Sequence, residues 1–194
     1  MRKTIIPILI FLLSINICAN EKISQILGKY TNSPVEIDFE LKTYWEVREK
    51  ETKVKGKIVL APENKFNISM GKMNYVSDGK TFWEYNSRQK QVKIEKIKNG
   101  LSTSIPTELL KLLKNAEFIE KSSGFAIWQD NNSRKNGFEK VEIHHNNSLV
   151  SKIIITDTDK NITTYTFEKV VFLPKVDENL FNFIIPSGAQ VYEN

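Results

Sequence analysis

Tyr75-Val76-Ser77-Asp78-Gly79-Lys80-Thr81-Phe82-Trp83-Glu84-Tyr85 reads as two antiparallel strands joined by a tight turn. A two-residue loop that matches strand twist needs positive φ, which Gly adopts freely and Asp tolerates, so the turn is placed at Asp78-Gly79. The arms carry Tyr75, Val76, Phe82, Trp83 and Tyr85, aromatic and β-branched residues that suit a pleated, half-buried surface.

Strands of the same kind extend to both sides. Upstream, Val35, Ile37, Phe39, Leu41, Thr43, Trp45 and Val47 alternate with polar or charged residues, a period of two that gives one dry and one wet face. A strand this long with a wet face suits a curved antiparallel sheet rather than a parallel sheet covered on both sides. Val54–Ala61 repeats the pattern, then Phe66, Ile68 and Met70, then the hairpin, then Val92 and Ile94. Short turns join all of these, and a meander of amphipathic strands curls into a barrel or part of one. Strands resume at Phe125–Gln129, Phe138–His145, Leu149–Thr156 and Ile162–Phe172, and a last one is placed at Ala189–Tyr192.

Two helices interrupt the strands. Ile23, Ile26 and Leu27 form a narrow stripe over Glu21–Tyr30, ended by Thr31-Asn32-Ser33-Pro34. Ile105–Glu117 has Pro106 in its first turn and a wide apolar face of Leu109, Leu110, Leu112 and Leu113. That face is more apolar than a surface helix needs and is expected to lie over the dry face of the sheet. Asp177–Phe183 reads as a short helical turn. The expected fold is therefore α+β, mainly antiparallel β, in one domain without linker or repeat.

The chain opens with Met1-Arg2-Lys3, an apolar run from Ile5 to Leu13, and a small residue at Ala19, the layout of a secretory signal peptide. Residues 1–19 are read as the signal peptide and 20–194 as the mature, exported domain. Lipid attachment at Cys18, the only cysteine, is the alternative, although Ile17 before it is not small. Without Arg2 and Lys3 the basic residues number 26 against 23 acids, a net charge of +3, too weak and dispersed for a nucleic-acid partner.

Chemistry is sparse. His144 and His145 are neighbours in a strand, so they point to opposite faces and cannot share a metal; both are read as exposed. There is no nucleophile elbow, zinc motif or phosphate-cradling loop. Glu36, Asp38 and Glu40 line one strand face, explained by the wet side of the alternation. No catalytic residue, cofactor or metal is assigned.

Val76-Ser77-Asp78-Gly79-Lys80-Thr81-Phe82-Trp83-Glu84-Tyr85-Asn86 resembles the central hairpin of the LolA family of periplasmic lipoprotein carriers. Asp38-Phe39-Glu40, Gly56–Pro62 followed by Phe66, Pro106 with Leu109-Leu110, and Phe181-Asn182-Phe183-Ile184-Ile185-Pro186-Ser187-Gly188 resemble further family motifs in the same order. The resemblance implies a half-open barrel of about eleven strands with helices covering its concave apolar face. It also implies a periplasmic, non-enzymatic carrier, expected to be monomeric. Such a carrier takes triacylated lipoproteins from an inner-membrane ABC transporter of LolCDE type and hands them to an outer-membrane receptor of LolB type. On that basis Phe39, Trp45, Phe66, Ile68, Met70, Trp83 and Tyr85 are candidates for the acyl-chain wall, and Leu109, Leu112 and Leu113 for the lid. The same residues equally suit an ordinary closed core. Ala61 stands where many members carry an Arg that latches the lid. An outer-membrane-anchored receptor of the same fold, or an exported lipid- or glycan-active enzyme, are the alternative functions.

Overall fold

The protein is described from a computed structural model that covers residues 22–97, 118–122, 124–129, 138–146 and 148–193. Helix α1 spans 22–32. It stops where Pro34 denies the backbone another helical turn, and Ser33 N–H closes the end on the Lys29 carbonyl at 3.1 Å.

Twelve strands follow: β1 Val35–Trp45, β2 Lys50–Ala61, β3 Lys65–Met70, β4 Met73–Asp78, β5 Thr81–Asn86, β6 Gln91–Lys96, β7 Ile119–Ser122, β8 Phe125–Gln129, β9 Phe138–His145, β10 Val150–Asp157, β11 Ile162–Phe172 and β12 Gln190–Glu193. They form one sheet in the order β12-β6-β5-β4-β3-β2-β1-β11-β10-β9-β8-β7. All neighbours are antiparallel except β12, which runs parallel to β6. The ends β12 and β7 do not pair, so the sheet is open.

Among the described residues there is one strand beyond the expected eleven, because Ile119–Ser122 is a short edge strand where the sequence placed none. The long hairpin also differs in detail. β1 ends at Trp45, a 3-10 turn over Glu46–Arg48 follows, and β2 starts at Lys50 rather than Val54. The helix expected over Ile105–Glu117, with Leu109, Leu112 and Leu113, lies outside the described residues, as does the signal peptide expected over residues 1–19.

Curvature follows from which residues meet. One apolar cluster joins Val35, Ile37 and Phe39 of β1, Phe66 of β3 and Phe82 of β5 to Ala126 of β8, Ile143 of β9, Ile153 of β10 and Tyr165 of β11. Strands so far apart in the sheet order share an interior only if the sheet curls around it. α1 fills part of that interior, burying Ile23, Ile26, Leu27 and Tyr30 at i, i+3, i+4 and i+7.

The turn of the central hairpin is centred on Gly79-Lys80, one residue later than expected. Gly79 alone has positive φ (+91°), and the Asp78 carboxylate accepts from Lys80 N–H and Thr81 N–H at 2.7 Å each. Asp78 therefore acts through its side chain, as an Asx cap, and leaves the left-handed conformation to the glycine.

Gly56 of β2 is required for a different reason. A Cβ there would lie 2.5 Å from the Phe39 ring and 2.6 Å from the Ser69 carbonyl oxygen. The Phe39 ring lies across the strand only because this position is bare. Gly56→Ala is expected to lower the unfolding free energy by about 1–3 kcal/mol in urea, the cost of overpacking against a backbone atom that cannot retreat. An unchanged midpoint would show that the Phe39 ring is not seated there.

Candidate functional site

Opposed residues on neighbouring strands share a face. One inner row runs Leu60–Phe66–Ser77–Phe82 and the next Ile58–Ile68–Tyr75–Glu84. Val35, Ile37 and Phe39 continue these rows on β1, opposite Leu60, Ile58 and Gly56. The inner face is thus apolar over β1–β4 except for the buried Ser77, and turns polar at Glu84.

The structure brings four of the seven expected wall residues together. Phe39, Phe66 and Ile68 are buried in the main cluster, and Met70 packs against it. Trp45 has the inward parity but sits at the rim, 39% exposed, with its indole N–H donating to Thr52 Oγ1 at 3.3 Å. Trp83 and Tyr85 lie on the opposite, outer face. Their rings contact Phe183 at centroid distances of 6.4 and 5.8 Å. The inward aromatic of β5 is Phe82, fully buried between Phe66 and Tyr75.

The reason is a second apolar layer. After β11 the chain crosses the outer face of β2–β6 before forming β12. Val176 and Phe181 bury against Val59, with Ala61 and Leu173 beside them. Asp177 caps the 3-10 turn Glu178–Phe181 through Asn179 N–H, Lys65 bonds Glu178 at 2.9 Å, and Asn67 donates to the Leu180 carbonyl at 2.7 Å. β4 and β5 are therefore covered on both sides, and their aromatics alternate without marking which side is inward.

Elsewhere the outer face is charged. Lys57 bonds Glu36 at 3.0 Å and lies 3.7 Å from Asp38, Lys53 pairs with Glu40, and Lys55 with Glu168 at 2.6 Å. The carboxylates Glu36, Asp38 and Glu40 are thus cross-strand partners of lysines on the wet face. His145 corrects the expectation of an exposed histidine pair. It has the inward parity of Val141 and Ile143, is buried, and meets the Asn146 carbonyl through Nδ1 at 2.9 Å. His144 is the outward one, its ring tilted against that of Phe125 at a centroid distance of 5.0 Å.

A cavity of about 70 Å³ lies between α1 and the inner face. Leu27, Tyr30 and Thr31 of α1 face Ile37, Ile58 and Leu60 on one side, and Val150, Ile153, Tyr165 and Phe167 on the other. Tyr30 ties α1 to the sheet: its hydroxyl accepts from Val150 N–H at 2.9 Å, and its ring meets Phe172 edge-on at 5.2 Å. That N–H is available because the β9–β10 register slips between Val150 and Lys152. A larger hollow, about 510 Å³, opens on the outer face among Lys42, Tyr44, Glu51, Lys152, Thr164 and Thr166. Ile154 and Ile162 complete its lining, so charged groups, hydroxyls and aliphatic side chains share a hollow that opens to solvent.

Burial sets the electrostatics of the inner face. It pushes the Tyr165 hydroxyl up to about 12, with Tyr75 adding to the effect. Tyr75 is also pushed up to about 12, by burial first and then by Glu84. Tyr30 is raised by burial, partly opposed by the Val150 hydrogen bond. All three are neutral at physiological pH.

The family model described as outer membrane lipoprotein carrier protein LolA matches residues 33–184. An outer-membrane lipoprotein carrier protein of Wigglesworthia glossinidia brevipalpis is 32% identical over 164 residues, covering 76% of this chain and 78% of its own. A second, from Methylobacillus flagellatus, is 25% identical over 148 residues, covering 71% and 72%. Among solved structures, an uncharacterised conserved protein of Thermus thermophilus superposes with a TM-score of 0.54 at 12% identity, covering 90% of this chain and 98% of its own. That likeness concerns the fold alone.

The tyrosines give a pH prediction. Their folded pKa values lie above the unfolded value of 10, so the protonated form is favoured by folding. Their contribution is complete below pH 10 and is lost as pH rises from about 10 to about 12. Ultraviolet titration is expected to show two phenols that ionise only with unfolding in that window. Ionisation of every tyrosine near pH 10 in the folded protein would contradict it.

Proposed function

The chain belongs to the LolA family of outer-membrane lipoprotein carrier proteins, and on that premise we propose that it binds the acyl chains of lipoproteins in the periplasm and carries them to the outer membrane. The observation that supports this reading is the cavity between α1 and the inner face, lined by apolar side chains on both sides.

The physics favours exchange. Each methylene removed from water contributes about 0.8 kcal/mol, so an acyl chain of about a dozen buried methylenes gains on the order of 10 kcal/mol. The four apolar side chains of α1 gain about 1.5–3 kcal/mol each from the same face. A single acyl chain and α1 are thus of similar magnitude, so one chain suffices to take the place of the helix. The empty cavity is far below the ~300 Å³ of ordinary ligand sites, so the chains enter by displacing α1 rather than by filling a preformed hole.

The wall of the loaded site is assigned to Phe39, Phe66, Ile68 and Met70, joined by Ile37, Ile58, Ile153 and Tyr165. Trp45 stands at its rim. Leu109, Leu112 and Leu113 remain the proposed second part of the lid. The cargo is proposed to come from an inner-membrane ABC transporter of LolCDE type and to pass to a receptor of LolB type. Residues 1–19 are proposed to direct export, and no catalytic step is assigned. The engagement of Glu36, Asp38 and Glu40 with lysines on the outer face supports a carrier over an enzyme acting through those carboxylates.

Two measurements test this. Inner-membrane vesicles carrying radiolabelled lipoprotein are expected to release it into the supernatant as a complex with the purified protein; release no greater than with buffer removes the carrier reading. Leu27→Ala widens the cavity and loosens α1. It is expected to lower stability by about 2–3 kcal/mol while tightening binding of an apolar fluorescent probe. Weaker probe binding at full folding would show that α1 does not compete with the ligand.

A further inference from the structure

Three hydroxyls lie in the cavity lining, those of Tyr30, Thr31 and Tyr165. Two are engaged: Tyr30 accepts from Val150 N–H at 2.9 Å, and Thr31 Oγ1 donates to the Gly28 carbonyl at 3.1 Å. No described residue hydrogen-bonds the third. Tyr165 is 7% exposed and belongs to the main cluster. Its ring stands inward from β11, opposite Leu41 of β1 and Ile153 of β10, and leans on Phe39 at a centroid distance of 5.7 Å. The ring is largely buried, and its hydroxyl end borders the cavity.

We propose that the Tyr165 hydroxyl donates a hydrogen bond to the ester or amide carbonyl at the head of a bound acyl chain, and so selects acyl-linked lipids over plain hydrocarbon. The proposal rests on the carrier reading and specifies what the carrier recognises. A chain whose carbonyl sits at Tyr165 lays its methylenes along Ile37, Ile58 and Ile153, the neighbouring lining. Among the described residues the lining contains no charged side chain, so a free carboxylate would be buried there without a counter-ion, whereas a neutral carbonyl needs only the neutral donor present. Burial keeps that donor protonated well above physiological pH. Sites that satisfy a buried polar group discriminate against analogues lacking its partner more sharply than apolar contact alone allows.

The test compares a synthetic dipalmitoyl-glyceryl-cysteine peptide with its dihexadecyl ether analogue, which lacks the ester carbonyls. The wild-type protein is expected to bind the ester about tenfold more tightly. Tyr165→Phe is expected to bind the ether as the wild type does and to lose the ester preference. Tyr30→Phe, which alters a hydroxyl already engaged, is expected to keep it. Equal binding of ester and ether by the wild type, or a preference that survives in Tyr165→Phe, overturns the proposal. Failure of the wild type to bind either lipid removes the carrier reading itself, and this proposal with it. Should Tyr165→Phe not fold, infrared spectroscopy of the ester bound to the wild type decides. A carbonyl band shifted to lower wavenumber on binding supports the hydrogen bond, and a band at its position in hydrocarbon overturns it.

Discussion

The inner face of a curled sheet whose rows run Leu60–Phe66–Phe82 and Ile58–Ile68–Tyr75 cannot stand open to water. Everything else in the molecule answers that constraint. Curling brings β1–β5 and β8–β11 around one interior, and α1 covers part of what remains. The described part of α1 covers 22–32, a length at which an isolated helix is marginal in water, so its stability comes from the face it lies on. A cover held mainly by burial, with one hydroxyl-to-backbone hydrogen bond at Tyr30, yields to another apolar body of comparable area. That property separates a carrier from a closed core with the same composition.

The outer face braces the sheet on the side away from α1. Over β2–β6 the C-terminal segment forms a second layer through Val176, Phe181 and Phe183, tied to β3 by Lys65 and Asn67. Over β1, β2 and β11 the face is a set of cross-strand lysine–carboxylate pairs. Each exposed pair contributes about 0–1 kcal/mol, so their value lies in register and solubility rather than in stability. Among the described residues, the strands that line the cavity are thus braced from outside, and α1 lies on their inner side.

Much of the fold is legible in the sequence because period-two alternation is a strong signal wherever one face is wet. β9 and β11 fall where the sequence places them, and β1 starts at Val35 as expected. Legibility fails where both faces are dry. Tyr75, Val76, Phe82, Trp83 and Tyr85 carry apolar groups on both sides, so parity does not say which are inward, and Trp83 and Tyr85 pass for wall residues although they meet Phe183 outside. The signal that corrects this is Phe181-Asn182-Phe183, too apolar for a loop that covers nothing. His145 departs from expectation for a simpler reason: in a strand its inward parity with Val141 and Ile143 outweighs the general preference of histidine for the surface. β7 has four residues and no clear alternation, too short to register. Tyr165 gives no sign in the sequence, since a tyrosine in an alternating strand looks like any half-buried aromatic; only the geometry shows an unengaged hydroxyl against the cavity.

The most direct measurement is amide hydrogen exchange of residues 22–32 in the presence and absence of a bound triacylated lipoprotein. The account predicts that α1 amides lose protection on loading while those of β1–β3 keep theirs, because the acyl chains take the helix's place on a braced sheet. Unchanged or increased protection of α1 in the loaded protein would contradict it.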